Sequence, residues 1–326
     1  MTSTLLKAFT TIYRLLPFCT TKAALSFGSV GCAICAAPAL LLALSSCSSI
    51  DEAHRLIPIE TTVPVDTTTV DPNADLDSLY NLPVAVVPRR VLIEDYTGQH
   101  CPNCPTFTSA IHDLQDIYTN LLVPVAIHSD YMGIMEPEGL GNALGNYYFD
   151  RLDFSPRVKP AVQVSRFYNT VITTIPEINL YVEGALSMDT PLDIRMKAVQ
   201  RDDDATKADI DVKVLYCAAD ANAVEGKLQV WVTEDSIKTN QDYLNGIHYT
   251  DYVHNHVLRA ALNGQLGEPV SVSAGSNQQE FHYTLTLSDA WKPARLAIVA
   301  FVYNDDEVVQ VTKQSLRLTT TANANH

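Results

Sequence analysis

The sequence predicts an α+β protein in which an α/β unit is followed by an antiparallel β-sandwich. Three observations carry this. Between residues 89 and 188, short apolar runs alternate with stretches that are apolar at every third and fourth position. From Pro191 onward the apolar residues recur at every second position. Before residue 89 neither pattern holds. A chain of 326 residues has room for about two domains of roughly 100–200 residues each.

The N-terminus is a targeting segment. Lys7, Arg14 and Lys22 precede an apolar or small-residue run from 23 to 44, which ends in Leu44-Ser45-Ser46-Cys47. That ending resembles the lipobox of bacterial lipoproteins, in which the cysteine takes a diacylglycerol and becomes the new N-terminus. Residues 1–46 are therefore read as a signal peptide and left out of fold reasoning. The alternative is an uncleaved anchor helix, for which the run is long enough. Residues 47–88 are read as lipid anchor and tether. The stretch Thr61-Thr-Val-Pro-Val-Asp-Thr-Thr-Thr-Val-Asp-Pro is rich in Thr, Pro and Asp, and such a composition buries too little apolar surface to offset its ordering entropy.

Removing the basic N-terminus leaves 19 basic against 37 acidic residues, a charge near −18. Such a surface repels phosphate backbones, so nucleic acid is not an expected partner. The cysteine count changes too. Cys32-Ala-Ile-Cys35 lies inside the apolar signal run and is read as chance. The mature chain keeps Cys47 and three thiols, Cys101, Cys104 and Cys217. In an oxidising compartment two of these three are close enough to pair.

The α/β unit, residues 89–188, opens on a buried strand at 91–96 and a turn at 97–100. Phe107, Ile111, Leu114, Tyr118 and Leu121 then share one face of a helix. Residues 122–127 form a second strand, 136–154 are partly helical, 161–164 form a short strand and 176–188 a further helix. In the sandwich, residues 190–318, strands are expected at 192–199, 210–216, 227–232, 281–287, 296–303 and 308–313. Alternation of this kind suggests an Ig-like arrangement. Residues 319–326 are a polar tail.

The chemistry is concentrated in Val91-Leu-Ile-Glu-Asp-Tyr-Thr-Gly-Gln-His-Cys-Pro-Asn-Cys-Pro. A strand feeds a turn, the turn carries Cys-x-x-Cys, and an amphipathic helix follows. This is the thioredoxin active-site arrangement. A thiol at a helix N-terminus meets unpaired N–H groups, which stabilise its thiolate. Cys101 is the expected attacking thiol, outward-facing, and Cys104 the shielded resolving thiol that closes a Cys101–Cys104 disulfide. Asp95 stands six residues before Cys101, where thioredoxins carry a buried acid able to take the resolving thiol's proton. Pro160 precedes a short strand, as does the cis-proline that faces the thioredoxin disulfide; Pro156 is the other candidate. Three plainer readings stand beside these. The cysteine pair is a structural clip; it is half a zinc site completed from Cys217, His100, His112 and His128; or Asp95 is a solvated strand-end acid. Pro105 allows a helix that starts only at Cys104, which weakens the dipole argument for Cys101. His254-Asn255-His256 places two imidazoles on one face if it is a strand. Cys217 reads as a buried free thiol. No phosphate loop, dinucleotide fingerprint or Gly-x-Ser-x-Gly is present, and neither cofactor nor metal is expected.

Taken together, Cys47-Ser-Ser-Ile-Asp-Glu, the segment 91–105, Val253-His-Asn-His-Val-Leu-Arg259 and Ala297-Ile-Val-Ala-Phe-Val-Tyr303 resemble the outer membrane protein 28-related lipoproteins of Bacteroides-type bacteria. The resemblance covers the mature chain from Cys47 to about Gln314. It implies an outer-membrane lipoprotein, anchored through Cys47, with a thioredoxin-like part and a C-terminal β domain. Two functions are then expected to compete. One is thiol–disulfide exchange with exported proteins. The other is binding of a surface ligand, with the thioredoxin fold as a scaffold and the disulfide as a clip.

Overall fold

Part of the expected tether is packed against the body. The computed structural model describes residues 75–219 and 222–319, all within a unit spanning 61–326. The signal peptide, Cys47, the tether up to 74 and the tail beyond 319 lie outside the described residues. A short helix α1 (Leu76–Tyr80) is capped by Asp75 and buries Leu76. Asp77 pairs with Lys197, and Arg195 donates to the carbonyls of Leu82 and Pro83. The segment from 75 is thus held by charge and backbone bonds that its composition does not announce.

The α/β part follows the expected order. β1 (Val91–Thr97) is buried at all seven residues. Helix α2 (Cys104–Ile117) buries Cys104, Ile111 and Leu114. β2 (Leu122–His128) lies parallel to β1, with Asp95 opposite Ala126. Helix α3 (Ala143–Asp150) starts at Asn142, whose Oδ1 accepts from the Gly145 N–H at 2.8 Å. β3 (Ala161–Val164) runs antiparallel to β1, and α4 (Ile175–Leu186) buries Ile178, Val182 and Ala185. Helices α2 and α4 cover the face carrying Val91, Ile93, Val162 and Val164. The opposite face carries Leu92, Tyr96, Val125 and Ile127.

From residue 192 strands follow one another: β4 (Leu192–Gln200), β5 (Lys207–Tyr216), β6 (Val224–Glu234), β7 (Ile237–Tyr243), β8 (Ile247–His254), β9 (Val257–Ala261), β10 (Glu268–Val272), β11 (Gln278–Thr286), β12 (Leu296–Tyr303) and β13 (Val308–Ser315). Six of these ten were expected, with bounds shifted by a few residues. β7 to β10 were not. β7 and β8 are polar or exposed along most of their length, so they lack the period-two apolar signal. The molecule is a mixed α/β protein dominated by sheets.

One sheet runs β13-β12-β6-β9-β2-β1-β3, with β10 also on β6. β4, β5 and β11 form a second sheet, and β7 and β8 a third. Side chains of β4 and β5, among them Ile194, Ile210 and Val212, meet Val230, Ile298 and Ala300 of β6 and β12 in one apolar cluster. The change of pattern near residue 190 does not interrupt the first sheet. β2 and β9 are joined at Ala126–Val257, and the Ala126 N–H donates to the His256 carbonyl at 2.8 Å. Trp231, Leu258, Phe301, Val308 and Val311 then cover Leu92, Val125 and Ile127.

That cover sets a prediction. A fragment of residues 89–188 would expose one face of its sheet. Leu92, Tyr96, Val123, Val125 and Ile127 are each worth about 1.5–3 kcal/mol when buried. The sum rivals the whole stability of a typical domain. Produced alone, the fragment is expected to lack near-ultraviolet circular dichroism and dispersed amide resonances. A fragment with native-like dispersion would contradict this packing.

Candidate functional site

The two cysteines stand where strand becomes helix. β1 ends at Thr97, and Gly98 lies so close to the Met132 carbonyl that an added Cβ would sit 2.3 Å from its oxygen. The turn is closed by Cys101 N–H donating to the Gly98 carbonyl (3.0 Å) and Cys104 N–H to the Cys101 carbonyl (3.2 Å). Cys101 and Cys104 are joined by a disulfide, with Cα atoms 5.4 Å apart. The helix begins at Cys104, with Pro105 in its first turn. Cys101 therefore precedes the helix instead of capping it.

Cys101 was expected to face solvent, and it does not. It is 1% exposed and Cys104 is fully buried. The β7–β8 hairpin covers the turn. Gln241 Nε2 donates to the carbonyls of Gly98 (3.3 Å) and Cys101 (3.1 Å). The Asp242 N–H donates to the Gln99 carbonyl (2.7 Å), and Gln99 Nε2 to the Asn240 carbonyl (3.2 Å). At the outer edge the Asp242 carboxylate lies 3.0 Å from His100 Nδ1 and 2.6 Å from His248 Nδ1. The hairpin pairs with no other strand among the described residues, so these bonds hold it down.

Asp95 sits on β1 beneath α2. Its Oδ2 accepts from the Thr108 hydroxyl at 3.0 Å. Thr108 is one helical turn beyond Cys104, so both occupy the helix face above the acid. Oδ1 has no hydrogen-bond partner among the described residues. Asp95 is 3% exposed. Burial pushes its carboxyl up to about 7, against the lowering effects of the Thr108 bond and the Lys159 charge. It is a buried acid and not a solvated strand end.

Lys159 is its nearest cationic influence. The amine is buried and donates to the Thr97 carbonyl, the Ser129 hydroxyl and the Tyr131 carbonyl. Burial pulls it down to about 7, while Asp95 and Asp130 pull it back up. The Lys159–Pro160 peptide bond is cis, as are Ser155–Pro156 and Glu136–Pro137. Pro160 leads directly into β3, whose Val162 pairs with Asp95. Asp95, the cysteine turn and the Lys159–Pro160 corner thus meet at one end of β1.

The histidines are dispersed. His112 faces outward on α2 near Asp116. His128 and His254 meet edge to face at 5.5 Å. Neither ring nitrogen of His128 has a hydrogen-bond partner among the described residues. Burial pushes His128 well down and His254 to about 4. His256 turns the other way, toward Asp235 and Lys313. Cys217 is a half-buried free thiol far along the chain, near the Thr190 carbonyl. Among the described residues no helix is long and apolar enough to cross a membrane.

Sequence reasoning missed Lys159, Thr108, Gln241 and Asp242. Thr108 carries a signal in its four-residue spacing from Cys104. Gln241 and Asp242 carry none, because they come from a strand 140 residues away whose interior, Lys238–Asp242, is entirely polar.

Fold and site define a sheet-dominated α/β protein with a two-cysteine bridge at a strand-to-helix turn. The family described as "Outer membrane protein Omp28" matches residues 154–320, about half the chain. The chain belongs to that family. Among solved structures it is similar to HBP35 of Porphyromonas gingivalis, at 16% identity and a TM-score of 0.54, over 71% of this chain and 76% of that one. It also matches a domain of the outer membrane lipoprotein Omp28 from the same organism, at 23% identity and a TM-score of 0.30, over 40% of this chain and 99% of that one. The first likeness bears on fold alone. No curated protein matches.

The Asp95 environment gives a prediction. Folded, the carboxyl keeps its proton up to about pH 7; unfolded, it ionises near its ordinary 3.8. Between these values the unfolded state releases a proton that the folded state retains, so stability falls as pH rises. Asp95→Asn removes this loss and keeps the acceptor for Thr108. Urea unfolding should show the variant gaining on the parent from pH 4 to pH 7, by about 1–3 kcal/mol at pH 8. A pH-independent difference would mean that Asp95 is ionised throughout.

Proposed function

We propose that this chain is an outer-membrane lipoprotein, anchored through a diacylglycerol on Cys47, that exchanges thiols and disulfides through Cys101 and Cys104. Its first part is thioredoxin-like. The support is the β1–α2–β2 unit with parallel strands, the cysteines at the strand-to-helix turn, and antiparallel β3 entered from Pro160. Its second part is a β-sandwich, supported by the apolar cluster between the β4–β5–β11 sheet and strands β6 and β12. The anchor rests on Leu44-Ser45-Ser46-Cys47 and on membership of an outer-membrane family. The partners are exported proteins bearing thiols or disulfides, and an acidic surface disfavours nucleic acid.

The observation that carries this reading is the Asp95 carboxyl, buried under the Cys104 turn, with one oxygen unpartnered among the described residues and a proton affinity near neutrality. Such a group, placed beneath the resolving cysteine, is suited to taking and returning a proton near neutral pH. In the dithiol state, the Cys101 thiolate attacks one sulfur of a substrate disulfide. A mixed disulfide forms and the other substrate sulfur leaves as a thiolate. Asp95 takes the Cys104 proton, and the Cys104 thiolate then attacks Cys101 Sγ. The intramolecular disulfide re-forms, the second substrate sulfur leaves, and two electrons have passed to the substrate. The reverse direction uses the same groups, with Asp95 returning the proton to Cys104. A substrate sulfur reaches Cys101 only after the β7–β8 hairpin is displaced.

A second reading is favoured by that cover. With Cys101 only 1% exposed, the pair is instead a clip in a surface-binding lipoprotein. Trapping separates the two. Cys104→Ser should accumulate mixed disulfides with exported proteins, visible on non-reducing gels, because attack persists and release is lost. Cys101→Ser should accumulate few. Equal trapping by both variants, or none by either, favours the clip.

A further inference from the structure

Beneath the β7–β8 hairpin lies a pair of imidazoles that the exchange chemistry does not use. His128 ends β2 and pairs with Thr97 of β1. His254 ends β8 and meets the His128 ring edge to face at 5.5 Å. Both are buried, at 1% and 6% exposure. His254 Nε2 donates to the Asn240 carbonyl of β7 at 3.3 Å. Neither nitrogen of His128 has a partner among the described residues, and both are sealed from solvent. A neutral ring already leaves one donor unmet there. A protonated ring would leave two, together with a full charge.

No carboxylate stands ready to compensate that charge. The groups that act on His128 are His254, Lys159 and Arg259, all cationic when protonated. Arg259 is occupied by Glu234 and Glu136, and Lys159 by three oxygens. Asp95 shares the sheet face of His128 by register, but it keeps its proton up to about 7 and is neutral in acid. Asp130, Lys238 and Asp251 face solvent. Tyr252, with its ring 4.8 Å from His254, is uncharged in acid. His256 turns away to Asp235 and Lys313. Burial therefore holds His128 well down and His254 at about 4.

The sign follows from these neighbours. With the hairpin seated, both rings stay neutral well below their ordinary 6.5. With it lifted, water reaches them and the ordinary value returns. Below 6.5 the lifted form binds protons that the seated form refuses, so acid favours lifting. One contact opposes this. Asp242 bonds His100 and His248 more strongly once they are protonated, but those rings are half exposed, where ion pairs contribute little. We propose that the β7–β8 hairpin is an acid-released lid over Cys101, and that charging of the buried His128–His254 pair is what releases it. The lid's purpose rests on the exchange reading; its release is a property of the hairpin alone.

The test is the rate at which tris(2-carboxyethyl)phosphine reduces the Cys101–Cys104 bond of the full chain between pH 7 and pH 4.5. Each rate is divided by that of a Cys-Pro-Asn-Cys peptide disulfide at the same pH, which cancels the reagent's own protonation. Near-ultraviolet circular dichroism monitors the fold. The ratio should rise at least tenfold toward pH 4.5; His254 alone, moving between 4 and 6.5, permits about 60-fold. His254→Gln keeps a donor for Asn240 without titrating, and His128→Phe keeps the bulk. The rise should shrink in each variant and vanish in the pair, while Asp242→Asn should retain it. A ratio that is flat or falls in acid would overturn the proposal. So would a rise undiminished by His254→Gln, one lost in Asp242→Asn, or one that appears only as the near-ultraviolet signal disappears. Should His128→Phe fail to fold, the His254→Gln result decides. Failure of the exchange reading shows separately, as absent trapping by Cys104→Ser alongside an intact acid response.

Discussion

Strand β1 is buried on both faces yet carries two adjacent acids, and the rest of the molecule is arranged around how each is accommodated. Successive residues of a strand point to opposite faces. Glu94 therefore turns toward the α3 side, and Asp95 turns under α2. Glu94 is matched by the bidentate Arg166, itself set among aromatic rings. An unmatched carboxylate there would cost several kcal/mol. Asp95 receives one hydroxyl bond, from Thr108, and the charge of the Lys159 amine in the same corner. The register with β2 and β3 is what keeps the two acids apart, since a slip by one residue would exchange their environments.

This division separates two kinds of site on one strand. On the α3 side charge is neutralised, and the result is a fixed polar wall beside a cavity. On the α2 side charge is withheld, and the result is an acid whose proton is movable near neutral pH. Lys159 is drawn into the same low-dielectric corner and its proton affinity falls for the same reason. Both shifts follow mainly from burial, and each group moderates the other through its charge. The β7–β8 hairpin seals the turn beside them with bonds to the Gly98, Gln99 and Cys101 carbonyls, so access to Cys101 is controlled by one element.

Much of this was legible in the residues, and the remainder was not for identifiable reasons. β1, α2 and the Cys-x-x-Cys turn announce themselves, because a continuous apolar run, a three-and-four spacing and paired cysteines are local patterns. Asp95 and Pro160 were found only by their distance from those patterns. Arg166 was invisible, since its role depends on a left-handed backbone and on rings contributed by β12. The hairpin was missed because Ile237–Tyr243 lacks apolar alternation, carrying only Ile237 and Tyr243 at its ends. The Ala126–Val257 junction rests on one pair between segments 131 residues apart, and neither segment signals the other. The accessibility of Cys101 was misjudged for the same reason: the cover comes from a distant part of the chain.

The central claim is that the Cys101–Cys104 pair turns over, with Asp95 as its proton acceptor. The most direct measurement is the reduction potential of the pair, by equilibration against glutathione buffers and alkylation of the thiols. Turnover predicts a value among exchange catalysts, roughly −270 to −120 mV, whereas a structural disulfide lies below about −300 mV. A potential in the first range supports the account. A potential below the second would contradict it and leave the disulfide as a clip.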